Sequence, residues 1–278
     1  MPGTGCLGRR GARPPWLAWW TAALLAAALP GVGQAADDGF QQLFDGKTLT
    51  DWQGDAPYWS VRDGAILGQI TPETRITKNR FLVYQGELPA DFELVAEYRI
   101  SPQGNSGVNY RSEPVDGVDF VALAGYQCDI DGPLNYTGSN YEERRRTTLA
   151  RVGESVVVPP SDAAAEPGRV DANAWTLREV TPLPHSADEL RDNIRRDDWN
   201  EVRIVAHGNR LEHYLNGVLT SRVEDNDLEN RRLDGRLGVQ VHVGPPMTVE
   251  YRVIKVRPLH GDSDPPQAET SNEGRRTK

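Results

Sequence analysis

The chain has 278 residues, 31 Lys and Arg against 40 Asp and Glu, and a formal net charge of −9 at pH 7. A surface of that sign repels nucleic acid and anionic membrane and favours neutral or cationic partners. The length is ample for one large all-β domain to bury a core.

The first residues carry Arg9, Arg10 and Arg13, followed by an apolar run over residues 16–29. That run is short for a bilayer span and has the length of a signal-peptide core, with small residues at Gly33 and Ala35 where a signal peptidase would cut. Residues 1–35 are therefore expected to be an export signal, giving a periplasmic or secreted protein with no membrane attachment. Cys6 precedes the apolar run, so it is not placed for lipid attachment. The removed segment takes three Arg and no acid with it, leaving 28 basic and 40 acidic residues, a charge of −12. Only Cys128 remains, which excludes an internal disulfide and predicts a buried thiol.

From Phe40 onward, short alternating segments are punctuated by Gly, Asn, Asp and Pro, an all-β pattern. In residues 91–100, Phe92, Leu94, Ala96, Tyr98 and Ile100 share one face, while Glu93, Glu97 and Arg99 share the wet one. Residues 152–198 are rich first in Pro and Ala and then in charge. They read as an insertion carrying a short surface helix over residues 186–196, with Ser186 as N-cap. Residues 199–222 predict three consecutive antiparallel strands turned at Gly208-Asn209 and Asn216-Gly217, the latter a strong two-residue turn signal. A last pair of strands, residues 236–243 and 248–256, is joined through Gly244-Pro245-Pro246-Met247. Residues 261–278 lack apolar periodicity and are expected to be a disordered tail.

Several stretches, taken together and in order, resemble the 3-keto-disaccharide hydrolase domain family. They are GFQQLFDGKTLTDW at residues 39–52, WSVRDGAI at 59–66, GNSGVNYR at 104–111 and GYQCDI at 125–130. YTG follows at 136–138, YEER at 141–144, WN at 199–200, LNG at 215–217 and GVQVHVGPPM at 238–247. The resemblance covers residues 39–258 and implies a concanavalin A-like two-sheet jelly-roll sandwich acting on sugars oxidised at C3. One departure is Gly125, where many members carry an acidic residue, so no role for that carboxylate transfers.

A jelly roll binds sugar on one sheet's concave face, so polar side chains on strand faces are the informative ones. Alternation puts Gln240 and His242 together, away from Leu237, Val239, Val241 and Val243. It likewise puts Gln127 and Asp129 on the face opposite Tyr126 and Cys128. His213 alternates with Leu211 and Leu215 and is expected to be buried structure. A ketone at C3 acidifies the C2 hydrogen, so cleavage needs a base, a partner for the enolate oxygen and an acid at the leaving group. The matching motifs offer His242 or Asp129 as base, Arg111 as enolate partner and Glu142 as acid. Asn105, Gln127, Gln240, Tyr141 and Arg144 are the expected substrate-binding residues. The sequence assigns no definite cofactor. A divalent metal held by Asp129 and His242, with Gln127 or Gln240, is the alternative way to polarise the ketone. Outside the enzyme class, the same scaffold serves noncatalytic carbohydrate-binding modules.

Overall fold

The computed structural model describes residues 39–161 and 169–259. The expected export signal, its cleavage point and the C-terminal tail lie outside the described residues. In chain order the strands are β1 (Gln41–Gln42), β2 (Trp52–Gly54), β3 (Trp59–Arg62), β4 (Ala65–Ile70), β5 (Arg80–Tyr84), β6 (Phe92–Ile100), β7 (Asn105–Pro114), β8 (Leu123–Asp131), β9 (Asn140–Glu143) and β10 (Thr147–Ala150). There follow β11 (Glu154–Val158), β12 (Val170–Asp171), β13 (Ala174–Trp175), β14 (Glu179–Pro182), the helix α1 (Ala187–Asp192), β15 (Asn200–His207), β16 (Arg210–Leu215), β17 (Val218–Asp225), β18 (Arg236–Val241) and β19 (Met247–Pro258).

These strands form the all-β two-sheet sandwich expected from the alternation. Sheet A runs β14-β11-β17-β16-β15-β6-β19-β4-β3, with β1 on β19, and sheet B runs β12-β13-β10-β9-β8-β7-β18-β5-β2. The core between them takes Phe92, Leu94, Ala96 and Tyr98 from β6, Val108 and Tyr110 from β7, and Tyr126, Cys128 and Ile130 from β8. Cys128 is fully buried, and that burial pushes its thiol well above the ordinary range. The β15-β16-β17 meander follows the predicted turns, with Asn216 and Gly217 at φ 47° and 83°, the positive values a tight Asn-Gly turn requires.

Three local features differ from the expectation. Residues 236–243 and 248–256 are not partners: β18 lies in sheet B between β7 and β5, and β19 in sheet A between β6 and β4, so Gly244-Pro245-Pro246 carries the chain across the sandwich. Strand β18 ends at Val241, and Val243 is exposed rather than in the core. Residues 152–198 contribute edge strands to both sheets, β11 and β14 to one and β12 and β13 to the other, beside the helix. Ser186 caps that helix in a reciprocal box with Glu189, and the helix stops at Asp192. Just beyond, Asn193 Nδ2 donates to the Leu215 carbonyl (2.9 Å) and the Arg195 amide donates to Asn200 Oδ1 (2.8 Å), which hold the chain to the sheet.

At one end of the core a guanidinium is buried with three carboxylates. Arg146 donates to Glu142 Oε2 (2.6 Å) and Asp225 Oδ2 (2.6 Å) and stands 3.3 Å from Asp227 Oδ2, and all four side chains are essentially inaccessible. Tyr126 donates its hydroxyl to the same Asp225 oxygen (2.6 Å). Arg146→Met leaves the three carboxylates without their shared cation, so it is expected to cost about 3–5 kcal/mol of stability, read as a lower urea midpoint. An unchanged midpoint would show that the cluster contributes nothing net.

Candidate functional site

The outer face of sheet B carries polar residues where four strands adjoin. Register places Gln127 opposite Asn109 on one side and Tyr141 on the other, Asp129 opposite Gly107, and Gly125 opposite Glu143. Gly107 leaves the room that the Gln127 side chain fills, since a Cβ there would come within 2.5 Å of it. The result is a cleft of about 370 Å³ lined by Asn79, Asn105, Gln127, Asp129, Tyr136, Tyr141, Glu143, Asn173 and His242. That volume falls within the roughly 300–1,000 Å³ of small-molecule sites.

Two amide-carboxylate pairs organise its floor. Gln127 Nε2 donates to Asp129 Oδ1 (2.7 Å), and Gln240 Nε2 donates to Glu143 Oε2 (3.2 Å). Burial raises the Asp129 carboxyl from 3.8 to about 8, against the Gln127 hydrogen bond and with help from the charges of Asp131 and Glu143. Burial also raises Glu143, offset in part by Gln240, His242, Arg144 and Asn79. The Tyr141 phenol rises to about 12, through burial first and then the charges of Glu143 and Asp129. At neutral pH the cleft therefore holds a protonated carboxyl and a protonated phenol, both able to donate hydrogen bonds. The amide of His242 donates to the Asn105 carbonyl (3.1 Å), which continues the β7-β18 pairing beyond the strand end. The Nδ1 of His242 lies 2.7 Å from the Val243 carbonyl. Donation there fixes the tautomer that leaves Nε2 with a free lone pair. The side-chain oxygens of Gln127 and Gln240 and both amide atoms of Asn109 are buried without a protein partner. Such atoms suit waters or a polyhydroxylic ligand.

Of the residues singled out in the sequence, His242, Asp129, Gln127, Asn105 and Tyr141 line this cleft, and Gln240 supports it through Glu143. Arg144 sits at its edge, 4.0 Å from Glu143. Arg111 and Glu142 lie elsewhere. A bulge between Tyr110 and Glu113 breaks the alternation of β7, and Arg111 takes φ 43°. Its guanidinium is buried, donating to the carbonyls of Gly208 (2.7 Å) and Ala90 (2.7 Å) and to Asp91 (3.1 Å). It is placed as a structural tie and cannot be the enolate partner. Gly125 faces this bulge, where a Cβ would stand 2.6 Å from the Ser112 Cα, so the backbone itself excludes any side chain there. Glu142 pairs across β8 with Tyr126 and shares its core-facing side, bound to Arg146. Its neighbour Glu143 is the carboxylate that reaches the cleft. Extending the period-two argument from Tyr141 would have found it. Asn79 and Asn173 arrive from other elements and carry no sequence signal. Among the described residues, no group of three or more His, Cys, Asp or Glu side chains is placed to hold a metal ion.

Residues 39–257 match the family model described as the 3-keto-alpha-glucoside-1,2-lyase-like domain. The chain belongs to that family. It is 30% identical over 186 residues to a 3-keto-disaccharide hydrolase of Bacteroides thetaiotaomicron, covering 64% of this chain and 56% of that protein. The matched region thus spans little more than half the length of that relative. Among solved structures, a Parabacteroides distasonis protein assigned to the glycosyl hydrolases is 18% identical with a TM-score of 0.47, over 80% of this chain and 94% of its own. The carbohydrate-binding module CBM66 of Bacillus subtilis is 13% identical with a TM-score of 0.44, over 76% of this chain and 98% of its own. In this member of the lyase-like family, Gln127, Asp129, Tyr141, Glu143 and His242 of the cleft fall in the motifs YQCD, YEE and QVH.

Folded, Asp129 keeps its proton to about pH 8, whereas an aspartate in the unfolded chain loses it near 3.8. The native state therefore binds a proton that the unfolded state lacks across that window, and stability falls as pH rises through it. Asp129→Asn removes this dependence, so its stability relative to the native chain should be higher at about pH 9 than at about pH 5 in urea titrations. An equal difference at both pH values would contradict the raised carboxyl.

Proposed function

We propose that the chain cleaves 3-keto-glycosides by β-elimination across C1 and C2, followed by hydration to give net hydrolysis. The observation that carries this reading is the company His242 keeps: a free imidazole nitrogen in one cleft with a carboxyl held protonated to about pH 8. Family membership supports it, because the model's description and the relative's name both concern 3-keto sugars.

His242 Nε2 removes the C2 proton, and the C–H electron pair forms the C2–C3 double bond while O3 becomes an enolate. The Tyr141 phenol donates a hydrogen bond to that oxygen, stabilising charge that exists only on the way to product. The ketone then reforms, a C1–C2 double bond forms, and the C1–O bond breaks as the departing oxygen takes the Asp129 proton. Water adds to the enone at C1 and a proton returns to C2, so the sequence is redox-neutral. Asp129 serves as the acid rather than the base, because below about pH 8 it holds the proton the leaving group needs. Glu143, fixed by Gln240, is placed to orient sugar hydroxyls beside Asn79 and Asn105. A module that only binds sugar would need aromatic platforms more than titratable groups. Two carboxyls of raised pKa in the cleft favour catalysis. The reading includes export before action, by the segment over residues 1–35, and N-terminal sequencing of the exported protein should begin near Ala36.

The unoxidised glycoside should be inert while its 3-keto form is cleaved, measured as release of the leaving group with and without chelator. His242→Ala should lower kcat by about 10²–10⁴-fold with the fold intact. The native rate should fall as pH rises through about 8, a limb that Asp129→Asn abolishes. Comparable turnover of both sugars would return the chain to ordinary glycoside hydrolysis.

A further inference from the structure

A second cleft, of about 410 Å³, opens on the same face of sheet B. Its wall includes Val83, whose partner in β18 is Gly238, two residues along from the Gln240 that supports the first cleft. The chain between β7 and β8 folds over this face. Phe120, Val115 and Val121 pack against a small cluster of Phe81, Val83, Ala122 and Leu123 that is separate from the main core. Val118, in the same segment, is left 38% exposed along the cleft. Gln53, Asp55, Gln85, Asp119 and Arg236 supply its polar groups.

A ridge of side chains formed by Arg80, Phe120 and Arg144 joins the linings of the two clefts. The Arg80 guanidinium lies 4.2 Å over the Phe120 ring and pairs with Asp55 of the second cleft at 3.3 Å, while its chain neighbour Asn79 lines the first. Arg144 approaches the other end of the ridge, 5.9 Å from the Phe120 ring, next to Glu143 of the first cleft. Along β8, Gln127 lines the first cleft and Leu123 the second. Four residues of extended chain separate them by roughly 13 Å at ~3.3 Å per residue.

Resting on the function proposed above, we infer that the second cleft holds the leaving group of the 3-keto-glycoside, and that this group is an extended phenolic ring system. The spacing between those two lining residues is longer than a single second sugar ring. The valine wall matches the faces of an aromatic system, and Gln53, Asp119 and Arg236 match hydroxyls at its edges.

The test compares methyl 3-keto-glucoside with the 3-keto-glucoside of a dihydroxybiphenyl, in the native chain and in Val118→Asp. Val118 is exposed, so this charge enters the second cleft without disturbing the core. The native chain should show the lower KM for the biphenyl substrate. Val118→Asp should raise that KM by about tenfold or more while leaving the methyl substrate unchanged. Equal KM values for the two substrates in the native chain, or no response of the biphenyl substrate to the variant, would overturn the inference. If neither substrate turns over, the functional reading fails by itself. Calorimetric titration with free dihydroxybiphenyl then decides the subsite: binding weakened by Val118→Asp supports it, and no binding to the native chain refutes it.

Discussion

One buried guanidinium ties the two sheets at the point where the cleft is built. Arg146 follows the β9 strand of sheet B, and Asp225 ends β17 of sheet A, so their 2.6 Å contact crosses the sandwich. Three carboxylates in a dry interior would repel one another without that cation, which burial alone would disfavour and their charges hold firmly protonated. The arrangement fixes the roll of the Tyr141-Glu142-Glu143 strand. With Glu142 held inward, period-two geometry turns Tyr141 and Glu143 outward into the cleft. A structural ion cluster thereby selects which of two adjacent glutamates reaches the cleft.

The two sheets treat their outer faces differently. Sheet A is covered by ion pairs: Arg257 and Arg203 on Glu93, Arg99 and Arg62 on Glu250, Arg210 and Arg222 on Glu212. Trp199 lies between Arg99 and Arg252, with ring distances of 4.9 and 4.4 Å. The three carboxylates are buried beneath partly exposed arginines, so together the pairs cover the sheet and satisfy its charges among themselves. Sheet B has amides and carboxyls on its outer face with hydrogen-bonding capacity left over, as at Asn109, Gln127 and Gln240. That unspent capacity, rather than the fold, distinguishes the outer face of sheet B from that of sheet A.

A second polar network, inside the core, shows what a histidine looks like when its role is structural. His213 is fully buried, with Nε2 2.8 Å from the Tyr110 hydroxyl and Nδ1 3.2 Å from the Ser139 carbonyl. Burial lowers it to about 3, so it remains neutral throughout the physiological range. His242 differs in being half-buried, at a strand end, with one ring nitrogen open to the cleft.

The alternation of Phe92, Leu94, Ala96 and Tyr98, the Asn216-Gly217 turn, the Ser186 cap and the inward Cys128 were all legible in the sequence. Each depends on interactions within a few residues or on the fixed pleat of a strand. The same pleat put Gln127 with Asp129 and Gln240 with His242 on one face, so half of the cleft was legible too. What only the tertiary structure decided was where the pleat breaks and which strands meet. The bulge at Arg111 arises where β7 must accommodate both β8 and β18, and it turns a residue expected at the site into a tie to Ala90 and Gly208. The choice of Glu143 over Glu142 depends on Asp225, some eighty positions away in the chain and in the other sheet. Burial, which raises the Asp129 carboxyl to about 8, exists only once the sheet and the loops around it have packed. Local patterning determines which way each side chain points, but a charge takes its partner and its pKa from segments that meet only in the folded chain.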